Sequence, residues 1–532
     1  MQLHSIYRQI HRYIKEKALS FETVGNAELI SYQKNLKKIA LSPFKFTSLE
    51  KMLKTCQESQ IVYLGDFHTF DQSSKNLERI LKALKKKNKK FILCLEMVHA
   101  EYQVYIDSFL AGNLTEREFL ESINYHEAWR FPWNHYRALF DLAKKENIPI
   151  MGINTKGTLK QRDEFAAGML STFLHMDPDA RLMVLYGEYH IAHNKIPKDV
   201  ELKLGNKKIK QTIIQQNLED VYWRLPKTPR SQLIRFSSGE FHLQTSPPWI
   251  KYESMVYWFE NLTDDGESDI YLEAVTTGLK SFDANVLDHF SLITKKIHHK
   301  LKFKKSDVDL EDFNLYDQTK LTSMTKKIRG MKNKRFQKYY SFLLASHQSF
   351  KLPSENTLYC PNYSINRLSY TCGLFVFSHL KNRQGVKRED LLKSKDANDV
   401  FSYLLDQSFM GFLFSKIINP SRKCDLYLDL REKMNKSKRE NEIANLELSL
   451  KFLAAKGSID LPHGLNELHL IAKNVGHLYA HYFFLWMNKD ESDALSFLKS
   501  YFEQEHPSHM GPVLLKKTIP MKNLKHEKKQ YF

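Results

Sequence analysis

Four short apolar runs, each closed by a glycine or a polar residue and each followed by a helical pattern, most narrowly limit how this chain can fold. Ile61-Val-Tyr-Leu ends at Gly65, Phe91-Ile-Leu-Cys-Leu at Glu96, Ile148-Pro-Ile-Met-Gly-Ile at Asn154 and Leu182-Met-Val-Leu-Tyr at Gly187. Unbroken apolar runs of this length suit strands buried on both faces of a parallel sheet. Leu77, Ile80, Leu81 and Leu84 fall on one face of a helix, with lysines on the other. Helical patterns also fill 101–122, 134–146 and about 160–174. Strands alternating with helices specify βαβ units, so the expected class is α/β, with 61–65, 91–95, 148–153 and 182–187 parallel in one sheet.

The flanks read differently. Residues 1–58 are helical and basic, with Ile6, Ile10, Tyr13 and Ile14 on one face. From 208 to 246 the pattern turns to strands alone, in KIKQTIIQQ, DVYWRL and LIRFSSGEFHLQT, until Pro247-Pro248 breaks it. Beyond 250 the apolar spacing is helical over 270–300, 335–350, 364–382, 388–418, 440–456 and 464–487. TDDGESD at 263–269 is a polar loop whose spacing misses the calcium-binding EF-hand. Residues 431–442 read as an exposed helix start or loop, and 515–532 as a frayed basic tail. The expected organisation is a helical N-terminal arm (1–58), an α/β domain (59–248) and a mostly α-helical C-terminal domain (249–532) whose role the sequence leaves open.

Two similar tetrapeptides carry the chemistry. Gly65-Asp66-Phe67-His68 closes the first run and Gly187-Glu188-Tyr189-His190 the fourth. On an extended backbone the carboxylate and the imidazole two residues later point to the same side. Both sit at carboxyl ends of expected parallel strands, where open α/β sheets place ligands. Glu96 closes the second run in the same way, and a carboxylate there is costly to bury without a partner. Two imidazoles and one to three carboxylates are therefore expected to converge, with His68, Glu96 and His190 as a ligand set for a divalent ion such as Zn, Mn or Fe. His477 and His481, at i and i+4 in GHLYAHYFFLW, lack the adjacent Glu of a metalloprotease helix and read as aromatic core packing.

The stretches GDFHTFDQSSKNLERIL, CLEM, FPWNHYRALFDLAKKENIPIMGIN, RDEFAAGML and LYGEYHIAHNKIP together resemble the ChaN-like haem-binding uptake family of the Tiki superfamily. The family's two Gly-x-x-His motifs and intervening Glu fall on Gly65/His68, Gly187/His190 and Glu96. Its Trp-x-x-Pro-Trp-x-x-Tyr element falls on Trp129, Pro132, Trp133 and Tyr136. The resemblance implies that the α/β domain binds haem or iron. Trp129, Trp133 and Tyr136 would then line an apolar pocket or pack as core, and Tyr189, His193, Tyr136 and His135 are axial-ligand candidates. The wider superfamily implies an alternative, a metal-dependent hydrolase in which His68, Glu96 and His190 hold the ion and Asp66 or Glu188 acts as general base or orients a ligand.

Charge and cysteine content narrow the partners. The net charge of +19 favours anions, but no zinc finger or RNP-like motif accompanies it, so nucleic acid is not the expected partner. Haem or another small ligand is, with a homodimer left open. Cys56, Cys94, Cys360, Cys372 and Cys424 are odd in number and far apart, which fits free thiols. No apolar stretch is long enough to span a membrane, and neither a signal peptide nor a lipobox opens the chain, so the expected location is cytoplasmic. A start further upstream would instead make it a membrane-associated lipoprotein.

Overall fold

The computed structural model describes residues 2–21, 27–85, 91–205, 209–226, 232–261, 286–303, 312–353, 355–380, 388–454, 460–504, 514, 517 and 524–529. The expected loop at 263–269, the helix start at 270–285 and most of 515–532 lie outside the described residues. The chain divides into two compact units, His11–Gly278 and Leu279–Gln530 with Met1–Ile10.

The first unit is built on an eight-stranded sheet. Helices α1 (Gln2–Ser20), which belongs to this unit from His11 on, and α2 (Ala27–Leu41) are followed by β1 (Lys45–Phe46), α3 (Leu49–Glu58), β2 (Ile61–Asp66), α4 (Gln72–Lys85) and β3 (Phe91–His99). Next come α5 (Gln103–Leu110), α6 (Glu116–Ser122), α7 (Tyr125–Ala128), α8 (Arg137–Glu146), β4 (Ile150–Asn154), α9 (Leu159–Met176), β5 (Arg181–Gly187) and α10 (Ile196–Lys203). The unit continues through β6 (Gln211–Gln216), α11 (Glu219–Arg224), β7 (Gln232–Arg235), β8 (Glu240–Gln244) and α12 (Pro248–Asn261). Strand order is β1-β7-β8-β6-β2-β5-β3-β4. The run from β8 to β4 is parallel throughout, as the alternating pattern requires, and β7 and β1 close one edge antiparallel.

Side-chain alternation gives the sheet two cores. Val62, Leu64, Leu93, Leu95, Met183 and Leu185 pack with Leu77, Ile80, Leu81 and Leu84 of α4 and with Leu139 and Phe140 of α8. Ile61, Tyr63, Cys94, Val184 and Tyr186 pack on the other face with Ala166, Ala167 and Leu170 of α9 and Val200 of α10. Each fully buried Leu or Ile contributes about 1.5–3 kcal/mol relative to exposure, so the apolar stripe of α4 fixes which way that helix faces. Thr158 caps α9, accepting from the Gln161 backbone N–H while the Gln161 side chain returns a bond.

Several expectations change in detail. β3 runs past Glu96 to His99 through an irregularity between Leu95 and His99. DVYWRL is helix α11 rather than a strand: its β-branched and aromatic residues serve to bury Val221 beside Leu36, Ala40 and Leu225. Residues 1–58 are not helices alone, because β1 pairs with β7 and joins the sheet.

The second unit is mainly helical, including Val286–Lys300, Ile365–His379, Ala397–Ile418, Glu440–Ala454 and Leu465–Lys489. It also holds a small sheet that the sequence did not suggest: β9 (Asn314–Tyr316), β10 (Phe350–Lys351) and β11 (Thr357–Tyr359), in the order β10-β11-β9. The charged stretch 431–442 spans the end of helix Tyr427–Lys436 and the start of the next. The described part of the tail is docked rather than frayed. Glu527 accepts from the Tyr482 hydroxyl at 3.0 Å, and the Lys529 backbone N–H donates to Asp429 at 2.8 Å. All five cysteines are free and buried. No helix among the described residues is long and apolar enough to cross a membrane.

Candidate functional site

The two Gly-acid-aromatic-His motifs lie side by side, because β2 and β5 are hydrogen-bonded neighbours, but they are staggered. Gly65 sits opposite Tyr186, and Asp66 opposite Gly187. A one-residue offset sends equivalent side chains to opposite faces. Asp66 therefore faces the layer of α4–α8, where its Oδ2 accepts from the Tyr136 hydroxyl at 2.7 Å and lies 3.0 Å from His68 Nδ1. Glu188 shares the other face with Gly65: a Cβ built on Gly65 would lie 3.1 Å from Glu188 Cβ.

After Gly187 the backbone turns instead of staying extended, the His190 N–H donating to Gly187 O at 2.9 Å. The second motif therefore does not pair its own acid and imidazole. His190 Nδ1 bonds Asp163 of α9. Asp163 is buried and also accepts from the Tyr32 hydroxyl at 2.6 Å. Glu188, likewise buried, accepts from Lys251 of α12 at 2.9 Å and 2.8 Å, one bond to each oxygen. Burial pushes its carboxyl pKa up despite Lys251.

Glu96 joins the two motifs. One oxygen bonds Arg162, and the other accepts from the Gly187 N–H at 2.6 Å and lies 3.9 Å from His68 Nε2. Arg162 also donates to Asn154 at 3.0 Å. The convergence expected from sequence is measured at Gly187. A Cβ there would lie 3.1 Å from His190 Cδ2, 3.3 Å from Glu96 Oε2 and 3.6 Å from His68 Cε1. Glycine leaves the three side chains free to meet above the end of the sheet. Burial works to lower the His68 pKa, but Glu96, then Asp66, outweigh it and hold the imidazole above its ordinary value of 6.5.

The cluster so formed is a charge network. Both oxygens of Glu96 and both of Glu188 are engaged by N–H donors, and Asp66 by a phenol and an imidazole. Among the described residues no group of three or more His, Cys, Asp or Glu side chains is arranged to hold a metal ion.

The aromatic candidates separate. Trp129 lies against the His68 ring at 4.6 Å between centroids, with Phe131 on it at 4.9 Å. Trp133 is core, packed against Phe140 at 4.9 Å, Tyr125 at 5.7 Å and Phe119 at 5.8 Å. Tyr136 is 1% exposed, so its role is to orient Asp66. His135 is tucked behind the site, its Nδ1 3.3 Å from His68 O, and burial holds its pKa below 6.5. His193 is exposed on the turn before α10.

Tyr189 lies elsewhere, in a cleft of about 310 Å³ over the carboxyl ends of β2 and β5. Phe67, Leu36, Leu218 and Met255 contribute apolar wall, Glu188 and Lys251 polar wall, and Lys15, Lys37 and Glu219 further charge. Glu219 accepts from Lys15 at 2.7 Å and from the Tyr252 hydroxyl at 2.9 Å, and lies 3.2 Å from His11 Nε2. Burial opposes its ionisation, but the His11 and Lys15 contacts win and bring its pKa to about 2.

Sequence reasoning missed Arg162, Asp163, Tyr32 and Lys251 as partners. For Asp163 a signal existed: it stands at the spacing of Ala166, Ala167 and Leu170, on the buried face of α9, where a carboxylate demands a partner.

Residues 52–162 match the family model described as haem-binding uptake, Tiki superfamily, ChaN. The match covers Asp66, His68, Glu96, Trp129, Trp133 and Tyr136 and ends just before Asp163. No curated protein matches the chain. A solved structure described as cofacial heme binding to ChaN of Campylobacter jejuni is similar at 15% identity, over 37% of this chain and 92% of that one, with a TM-score of 0.27.

Proposed function

We propose that the α/β unit, a ChaN-like domain, binds haem in the cleft over β2 and β5, where the Tyr189 phenol would hold the iron. The observation that carries this reading is the composition of the cleft. It sets Tyr189 beside apolar side chains of Phe67, Leu36, Leu218 and Met255, in a lining that also holds the Lys251–Glu188 and Lys15–Glu219 pairs, with Lys37 exposed at the rim. A haem needs those three things: an axial donor such as Tyr, an apolar seat, and cations for its propionates. At about 310 Å³ the cleft is at the small end of ligand pockets, about 300–1,000 Å³, and suits one edge of a macrocycle rather than full enclosure. Bound iron would supply redox and oxygen-binding chemistry. The protein's own part is to seat the ring, and the Lys251–Glu188 pair holds the cleft floor to α12. The network of His68, Glu96 and His190 lies beside this seat and braces the strand ends that frame it.

Haem titration followed at the Soret band tests the proposal. Wild type is expected to shift the band and saturate, Tyr189→Phe to lose the shift, and Glu96→Gln to keep it. A wild type that never shifts the band, or a Tyr189→Phe variant that binds as wild type does, would refute it.

A further inference from the structure

We propose that the helical unit carries an oxyanion-binding crevice, formed by Arg367, Arg422 and Lys473 against the rings of Tyr370, Phe412 and His477. It stands independently of the haem reading, on residues of another unit.

Glycines bring the three contributing helices close. A Cβ on Gly411 would lie 2.7 Å from the Tyr370 ring, and one on Gly476 would lie 2.7 Å from Leu405 O. Tyr370 therefore lies flat on helix Ala397–Ile418, and helix Leu465–Lys489 packs on the same helix almost backbone to backbone. The rings close a circuit. Phe412 stacks on His477 at 4.5 Å and 21°, and Tyr370 meets His477 edge-on at 5.7 Å. The Arg422 guanidinium lies 5.1 Å from the Phe412 centroid and 5.9 Å from that of Tyr370. Lys473 precedes His477 by one helical turn, and Arg367 neighbours Asn366, whose carbonyl accepts from Arg422 at 2.7 Å.

What these cations lack is negative charge. Arg367 donates to His347 O at 2.8 Å, Lys473 to Gln348 Oε1 at 2.9 Å, and Arg422 to Asn366 O and Ser415 Oγ. Every acceptor is neutral, and among the described residues no carboxylate pairs with any of the three. Asp425, in the same stretch of chain as Arg422, is taken by Lys433 and Lys529. His469 shares Gln348 with Lys473 and is held neutral, its pKa lowered to about 3 by burial and then by Lys473. Burial, then Arg367, Arg422 and Lys433, brings Lys473 down to about 8.

Unpaired cations gathered out of bulk water are costly, and an anion among them relieves both desolvation and mutual repulsion. All three residues are half-buried rather than sealed in the core. Arginine forks and a lysine ammonium match the oxygens of a phosphate, sulfate or carboxylate group. His477 Nε2, buried with no hydrogen-bond partner among the described residues, offers one more polar atom to that ligand.

The test uses the full chain with inorganic phosphate and sulfate as probes, in calorimetry and thermal shift, against chloride at matched ionic strength. Wild type is expected to bind both probes saturably and chloride not at all. Lys473→Gln should weaken binding roughly tenfold, the size of one lost charge-assisted bond. Sulfate keeps its charge across this range, so its affinity in wild type should fall as pH rises through about 8, where Lys473 loses its proton. That slope should vanish in Lys473→Gln. Should Lys473→Gln fail to fold, Arg367→Gln carries the affinity test: it should weaken binding to a similar degree while keeping the pH slope, because Lys473 remains. Absence of saturable binding, or variants that bind as tightly as wild type, would overturn the proposal.

Discussion

Replacing Gly187 with alanine places one methyl group at the point where His68, Glu96 and His190 meet. The backbone accepts the change: Gly187 lies in β5 and is not among the positive-φ glycines Gly112, Gly157 and Gly205. Removing a glycine from the unfolded chain favours folding by about 0.4–1 kcal/mol. Against this, the new carbon would stand 3.1 Å from His190 Cδ2 and 3.3 Å from Glu96 Oε2, inside the roughly 3.5–4.0 Å that carbon contacts prefer. Neither neighbour can retreat freely, because His190 is tied to Asp163 and Glu96 to Arg162. Overpacking of this kind costs about 1–3 kcal/mol. The steric contribution wins, with a net loss of about 1–2 kcal/mol, or a fall in Tm of about 2–8 °C for a unit of this size. The control is Gly168→Ala, in mid-α9, where the new carbon would meet only Lys203 Cε at 4.0 Å. There the same substitution should stabilise by about 0.5–1 kcal/mol. Thermal and urea unfolding of both variants decide the matter. If Gly187→Ala is stabilised as Gly168→Ala is, the three side chains do not converge as described.

Two further outcomes follow from the charge network. The His68 imidazole should titrate above 6.5 by NMR, and Glu96→Gln should lower its pKa, since Glu96 is the largest influence raising it. With the folded value raised, the stabilisation from this contact is fully present below about 6.5 and is lost as pH rises through the folded value; an imidazole titrating at or below 6.5 in wild type contradicts the reading. Lys251→Met leaves Glu188 buried without its cation. The carboxyl can escape by taking up a proton, which from an ordinary value of 4.5 limits the loss to about 3 kcal/mol at pH 7. The deficit seen in urea unfolding should shrink towards pH 5, and a deficit independent of pH would show that Glu188 is not ionised in wild type.

The parallel sheet was legible because strands buried on both faces leave unbroken apolar runs, and the matching strand ends pointed to His68, Glu96 and His190. The partners were hidden for a different reason. Arg162, Asp163 and Lys251 sit in helices, where a charged residue is ordinarily solvated, and only the packing of α9 and α12 on the sheet turns them inward. Tyr32 reaches Asp163 from a helix far away in sequence. DVYWRL misled because valine and aromatics suit a strand's pleat as well as a short helix that buries one of them. Glu96 marked the end of its apolar run correctly, yet the backbone stays extended to His99.

The one-residue stagger between β2 and β5 breaks a near-symmetry written into the chain. Two almost identical words are read in opposite senses, so matching positions are not interchangeable: Asp66 speaks to a phenol, Glu188 to an ammonium group. Deleting one residue from β5 ahead of Gly187 would bring the copies level and set Glu188 beside Asp66 on the same face. That would gather two carboxylates where there is one phenol to receive them, and leave Lys251 facing none. Insertions and deletions in this strand should therefore be far less tolerated than substitutions at its tip.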